Sequence, residues 1–103
     1  MIRVSIDVEN MTFYLDGHAD YAPVGEDIVC SAASMLTAAL FEYVMGAAGE
    51  NDLSECEMEP GHAALNVCPA STDVMLRCQV AFGMAECGYE LLAARYPEHI
   101  IID

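Results

Sequence analysis

Apolar and polar residues alternate at the start of the chain, with Ile2, Val4, Ile6 and Val8 set against Arg3, Ser5 and Asp7. A period of two puts each set on its own face of an extended backbone, which predicts a half-buried strand over 2–8. A turn near Glu9-Asn10 leads to a second short strand, Met11–Leu15, with Phe13 and Leu15 on one face. The two form a hairpin. Asp16-Gly17 ends it and opens a polar loop. The pattern then changes: from Ile28 to Ala48 only Ser31, Ser34, Thr37 and Glu42 interrupt the apolar run. A helix this apolar is buried, either between layers or against a partner subunit. Gly46 and Gly49 supply its stop signals, and Glu50-Asn51-Asp52 reads as loop.

The second half repeats the order of elements but no sequence repeat. Leu53–Glu59 is a strand with Glu55, Glu57 and Glu59 on one face and Cys56 and Met58 near the other. Pro60-Gly61 is a turn pair, and His62–Cys68 is the returning strand. Pro69-Ala70-Ser71-Thr72-Asp73 starts a second helix, with Ser71 or Thr72 as cap and Asp73 favourable in the first turn. That helix runs to about Arg95, since Pro97 forbids continuation. His99-Ile100-Ile101-Ile102 adds a last short strand. The order β-β-α-β-β-α-β predicts an α+β domain, residues 1–103, with two helices packed on a largely antiparallel sheet.

Composition narrows the class. The chain has 103 residues, 55% hydrophobic and 19% charged, which suits one globular domain with more apolar surface than a lone protomer covers. A homodimer is the expected remedy. Seventeen acidic residues against three basic ones give a net charge of −14. Direct nucleic-acid binding is therefore not expected, because it depends on basic residues to neutralise phosphates. A basic protein partner is compatible with such a surface. No apolar run reaches the roughly 20 residues of a membrane span, and no secretory signal pattern opens the chain. A cytoplasmic protein without membrane attachment is the expectation. The five cysteines, Cys30, Cys56, Cys68, Cys78 and Cys87, are odd in number and include no C-x-x-C pair, which speaks against a disulfide framework or zinc site.

Cys30 is set apart by its neighbours. Asp27 has the chemistry of an N-cap, making Ile28 the first helical residue and placing Cys30 in the first turn. A sulfur there meets free backbone amides and the positive end of the helix dipole, both of which favour its anionic, nucleophilic form. The loop before it carries His18 between Gly17 and Gly25 and can bring an imidazole back onto the thiol, a minimal nucleophile–base pair. Asp27 has a second possible role in orienting that imidazole. Ser34, one turn after Cys30, is placed to bond a backbone carbonyl or steady the site. His62 and His99 are rival bases with no sequence tie to Cys30. A metal site from His18, Cys30 and an acid lacks further ligands, so neither metal nor cofactor is expected.

The stretch 17–34 resembles the ribosomal-processing cysteine proteases of the Prp family, whose pattern is close to G-H-A-x-Y-A-x-x-G-x-D-I-V-C-A-A-x-S. Gly17, His18, Ala19, Tyr21, Ala22, Gly25, Asp27, Ile28, Val29, Cys30 and Ser34 fall in place without a gap, and Ser31 departs from the usual alanine. A weaker likeness extends through Gly83 to Tyr96-Pro97-Glu98-His99-Ile100. The resemblance implies a cytoplasmic cysteine endopeptidase with Cys30 as nucleophile, His18 as base, and Asp27, Gly17 and Ser34 in support. It further implies a homodimer whose His-bearing loop moves as substrate binds. The implied substrate is the N-terminal extension, ending in aromatic residues, of large-subunit ribosomal protein twenty-seven. Two other classes stay open: a non-catalytic, dimeric, ribosome-associated binding module, and a redox or metal-responsive protein using several cysteines.

Overall fold

The computed structural model describes residues 1–103. Its elements are β1 (Ile2–Asp7), β2 (Thr12–Asp16), α1 (Ile28–Ala47), a 3-10 turn (Glu50–Asp52), β3 (Leu53–Glu59), β4 (His62–Val67), α2 (Thr72–Arg95) and β5 (Ile100–Ile102). The five strands form one sheet in the order β3-β4-β2-β1-β5. Every neighbouring pair is antiparallel except β1 and β5, which run parallel with Ile2 opposite Ile100. The predicted α+β order is the observed one, on a mixed, mostly antiparallel sheet.

Alternation decides which face is which. Val4, Leu15 and Ala63 lie side by side across β1, β2 and β4, as do Ile6, Phe13 and Leu65. These residues make the core with the helices; Arg3, Ser5, Tyr14, Asp16, His62 and Asn66 take the opposite, polar face. On α1 the buried positions are Val29, Ala33, Thr37, Leu40, Phe41 and Val44, one stripe at helical spacing. Phe13 sits at the centre, stacked on Tyr89 of α2 at 5.5 Å and edge-on to Phe41 of α1 at 6.3 Å. Losing such a buried ring costs about 3–5 kcal/mol. Tyr89 bonds Thr37 Oγ1 at 2.7 Å. The Thr37 hydroxyl donates its own proton to the Ala33 carbonyl at 2.8 Å, so Tyr89 is the donor between the two. Burial pushes the Tyr89 phenol up to about 12.

Three details differ from expectation. First, α1 passes through Gly46 and ends at Ala47, where Ala48 leaves the helical region and its amide closes on Val44. An exposed glycine weakens a helix by about 1 kcal/mol without breaking it. Second, residues 50–52 form a tight turn because Asp52 is buried as a staple. Its carboxylate accepts from Gly49 and Ala70, at 2.7 and 2.8 Å, and its carbonyl accepts from Cys68. Third, α1 with its 20 residues is long and apolar enough to cross a bilayer by length and composition alone. Its buried stripe instead packs into the domain core.

Candidate active site

The site begins with the cap. Asp27 is buried; its Oδ1 accepts from the Cys30 amide at 2.9 Å, and its Oδ2 accepts from the Tyr21 and Ala22 amides at 2.9 and 3.3 Å. Those amides, the Cys30 one foremost, hold the carboxyl below its ordinary range, against the opposing effect of burial. Both oxygens are thereby engaged by the backbone. The expected contact with the His18 imidazole is absent, and Asp27 acts instead by joining the loop at residues 21–22 to the start of α1. Ser31 turns back on its own helix, its hydroxyl donating to the Asp27 carbonyl at 3.0 Å.

The loop before α1 has two halves. Its first half is fastened on all sides: the Met1 amino group donates to the His18 carbonyl, the Gly17 amide to the Gly61 carbonyl, and His99 Nδ1 to the Ala19 carbonyl. Tyr21 packs edge-on against both His99 and Tyr96. Gly17 has φ +100°, and a β-carbon there would stand 2.2 Å from the Met1 carbonyl oxygen, so no other residue fits. The second half, around Pro23–Glu26, is an open turn with Val24 wholly exposed. Gly25 has φ +90° and empty space about it, so its backbone conformation alone asks for glycine.

Between the first half of α1 and the β3–β4 hairpin lies a cavity of about 560 Å³. Gly17, His18, Cys30 and Ser34 all line it, so the chain brings these four predicted residues together. Its apolar lining comes from Ile2, Leu15, Ala33, Ala38 and Ala63, and Met58, Pro60 and His62 border it on the hairpin side. Cys30 is half-buried, whereas Cys78 is buried and Cys56, Cys68 and Cys87 are exposed outside the cavity. The His18 ring lies over Gly61 at the hairpin turn, and no hydrogen bond joins it to the Cys30 thiol.

The other two histidines are committed elsewhere. His62 Nδ1 bonds Asp16 at 2.8 Å and its Nε2 bonds Glu57 at 3.2 Å. Those two carboxylates, Asp16 foremost, raise the imidazole above its ordinary value, and their two bonds engage both ring nitrogens. His99 lies outside the cavity with Nδ1 on Ala19. Sequence reasoning missed Gly61, Tyr96 and His99 as partners of the His18 loop. Their signals were present as the Pro60-Gly61 turn pair and the weak likeness at residues 96–100.

The sequence profile of the family described as Cysteine protease Prp matches residues 1–101. The chain belongs to that family. It is a cysteine protease. No curated protein sequence matches it. Among solved structures it is similar to an essential ribosomal processing protease Prp from S. aureus bearing a covalently linked product peptide. That match has TM-score 0.77 at 22% identity and covers 99% of this chain and 95% of the other. The same S. aureus protease with a substrate peptide aligns at TM-score 0.71 and 23% identity, covering 100% and 98% of the two chains. SMU.848 from Streptococcus mutans aligns at TM-score 0.73 and 23% identity, covering 100% and 92%. These likenesses extend the Prp fold over the whole chain.

Proposed function

We propose that this protease removes a short N-terminal extension, ending in aromatic residues, from large-subunit ribosomal protein twenty-seven, with Cys30 as nucleophile and His18 as base. The observation that carries the reading is the placement of both residues on one cavity, with Cys30 in the first turn of α1 and its amide held by Asp27. The ribosomal processing role of the S. aureus relatives, with their bound peptides, supports the substrate class. The apolar lining of the cavity suits aromatic side chains at the cleavage point.

The chemistry is acyl transfer. His18 takes the thiol proton as Cys30 Sγ attacks the peptide carbonyl, and the positive end of α1 favours the negative charge that develops there. The tetrahedral intermediate collapses, the peptide C–N bond breaks, and His18 returns the proton to the leaving amine. Water then gives a proton to His18 and attacks the thioester carbonyl. The C–S bond breaks, the acid product leaves and ionises in solvent, and His18 returns its proton to the Cys30 sulfur. The imidazole must leave Gly61 to reach the sulfur. With residues 18–22 fastened, that motion belongs to the side chain and to the open turn at 23–26, and bound substrate drives it. Ser34 and Gly17 shape the cavity, and Asp27 fixes the sulfur-bearing turn.

The reading includes one catalytic domain that works as a cytoplasmic homodimer and makes no direct nucleic-acid contact. Leu36 and Tyr43 of α1 and Val80 and Met84 of α2 line an apolar groove on the outer side of the two helices, and a second copy covers it. The test is incubation with the N-terminally extended ribosomal protein, followed by mass spectrometry. The expected product is the protein shortened at the aromatic end of its extension. Cys30→Ala and His18→Ala are expected to abolish the cut. A Cys30→Ala protein that keeps about a tenth or more of the wild-type rate overturns the assignment, because losing a covalent nucleophile costs far more than that.

A further inference from the structure

Residues 96–99 lie far from His18 in sequence, yet they close over its loop. His99 Nδ1 is 2.9 Å from the carbonyl oxygen of Ala19. A carbonyl only accepts, so this nitrogen carries a proton and donates it. Ala19 follows His18 directly and is 1% exposed, so water does not replace the bond if it is lost. The His99 ring also meets Tyr21 edge-on at 5.2 Å, and Tyr21 meets Tyr96 at 5.5 Å. The Tyr21 amide in turn donates to Asp27, whose other oxygen holds the amide of Cys30. One continuous set of contacts therefore runs from His99 to the backbone beside His18 and to the turn that carries Cys30.

His99 does not line the cavity, so it has no direct part in the chemistry. We infer that His99 is a positioning residue for the reaction: its bond to Ala19 fixes the His18 backbone at the cavity's edge. The imidazole can then swing between Gly61 and Cys30 while the fastened residues 18–22 stay in place. This rests on the proposed role of His18 as base. The Ile2 amide bonds the His99 carbonyl at 2.9 Å, so the backbone of residue 99 is anchored to β1 whatever its side chain is. Exchanging the side chain therefore tests the Ala19 bond with the strand pairing preserved.

The test compares wild type, His99→Ala, His99→Gln and His99→Met on an extended substrate peptide, with active protein counted by alkylation of Cys30. Glutamine keeps an N–H donor of suitable reach; methionine fills similar space without one. His99→Ala and His99→Met are expected to lower kcat by about 10–100-fold, the scale for a catalytic group misplaced by about 1 Å. KM is expected to stay nearly constant, because the cavity lining is unchanged, and His99→Gln is expected to recover much of the loss. If His99→Ala does not fold, the Met and Gln pair decides. Equal kcat in those two, or wild-type kcat in His99→Met, overturns the positioning role. His18→Ala in the same assay separates the two layers. Cleavage surviving that change removes the base assignment and the positioning role together, whereas cleavage lost in His18→Ala but kept in His99→Met removes the positioning role alone.

Discussion

The imidazole of His18 rests on Gly61: a β-carbon built there would stand 2.7 Å from Nε2 and 3.0 Å from Cε1. Gly61 also has φ +76°, so a substitution there meets two constraints: a backbone preference for glycine and the His18 ring, which must shift to make room. Two variants separate them. Asparagine tolerates a positive φ but places a β-carbon in the ring's space, so Gly61→Asn is expected to lower kcat/KM by about tenfold or more with a modest loss of stability. Gly61→Ala adds the backbone penalty of about 1–2 kcal/mol for a left-handed alanine. Peptide cleavage and thermal melting of both variants check this, and wild-type kcat/KM in Gly61→Asn would contradict it.

Asp27 gives stability a dependence on acid. Its carboxyl is held low in the folded chain, so the folded state binds that proton less readily than the unfolded state. The stabilisation is complete above the ordinary value of 3.8 and is lost as pH falls through the lower folded value. Asp27→Asn is therefore expected to melt below wild type at neutral pH, with the gap closing in acid. Asp7 is also held low, chiefly by the Asn10 amide, and sharpens the acid unfolding of both proteins equally. Melting curves of the pair across acidic pH decide the point, and a gap independent of pH would count against the capping role.

His62 works in the opposite direction. Asp16 and Glu57 raise its imidazole, so the folded chain binds the proton more tightly than the unfolded one. That contribution is full below the ordinary 6.5 and disappears as pH rises through the folded value. The clamp joins β2, β4 and β3, and its loss loosens the hairpin whose turn supports His18. His62→Gln is expected to be less stable than wild type below 6.5 and nearly equal to it in alkali, and melting measured over that span checks the sign.

How much of this was legible in the sequence depended on range. The strand alternation at Ile2–Asp7, the cap at Asp27 and the first-turn place of Cys30 follow from residues within a few positions of one another. The fastening of Ala19 by His99 spans 80 positions, and no local pattern reports such a contact. Asp27 is the instructive intermediate. Its capping role could be read directly, but the amides of Tyr21 and Ala22 that occupy its second oxygen became visible only once the loop had folded back. Of the two glycine stop signals, α1 passes over Gly46 and ends one residue short of the expected Ala48. A glycine signals permission to stop, whereas packing of Val44 keeps the last turn in place.

The proposed dimer draws on the exposed apolar side chains of the two helices. Val80 and Met84 are each more than two-thirds exposed, and Met35 on α1 is 69% exposed. Light scattering at micromolar concentration is expected to give twice the 11.1 kDa of one chain. Met84→Glu should shift the protein to the monomer, since a buried unpaired charge is heavily penalised in an apolar interface. A wild-type monomer under those conditions would contradict the dimer.

The parallel pairing of β5 with β1 sets a timetable. Ile2 and Val4 take their outer neighbours from Ile100 and Ile102, which the ribosome adds much later. Translation at about 5–20 residues per second spreads those events over roughly 5–20 s. Throughout that interval the segment bearing His18 has no His99 to hold it. A partly synthesised chain, still tethered to the ribosome, thus carries the thiol without the fastened loop. On the proposed role of His99, full activity waits until β5 has joined the sheet.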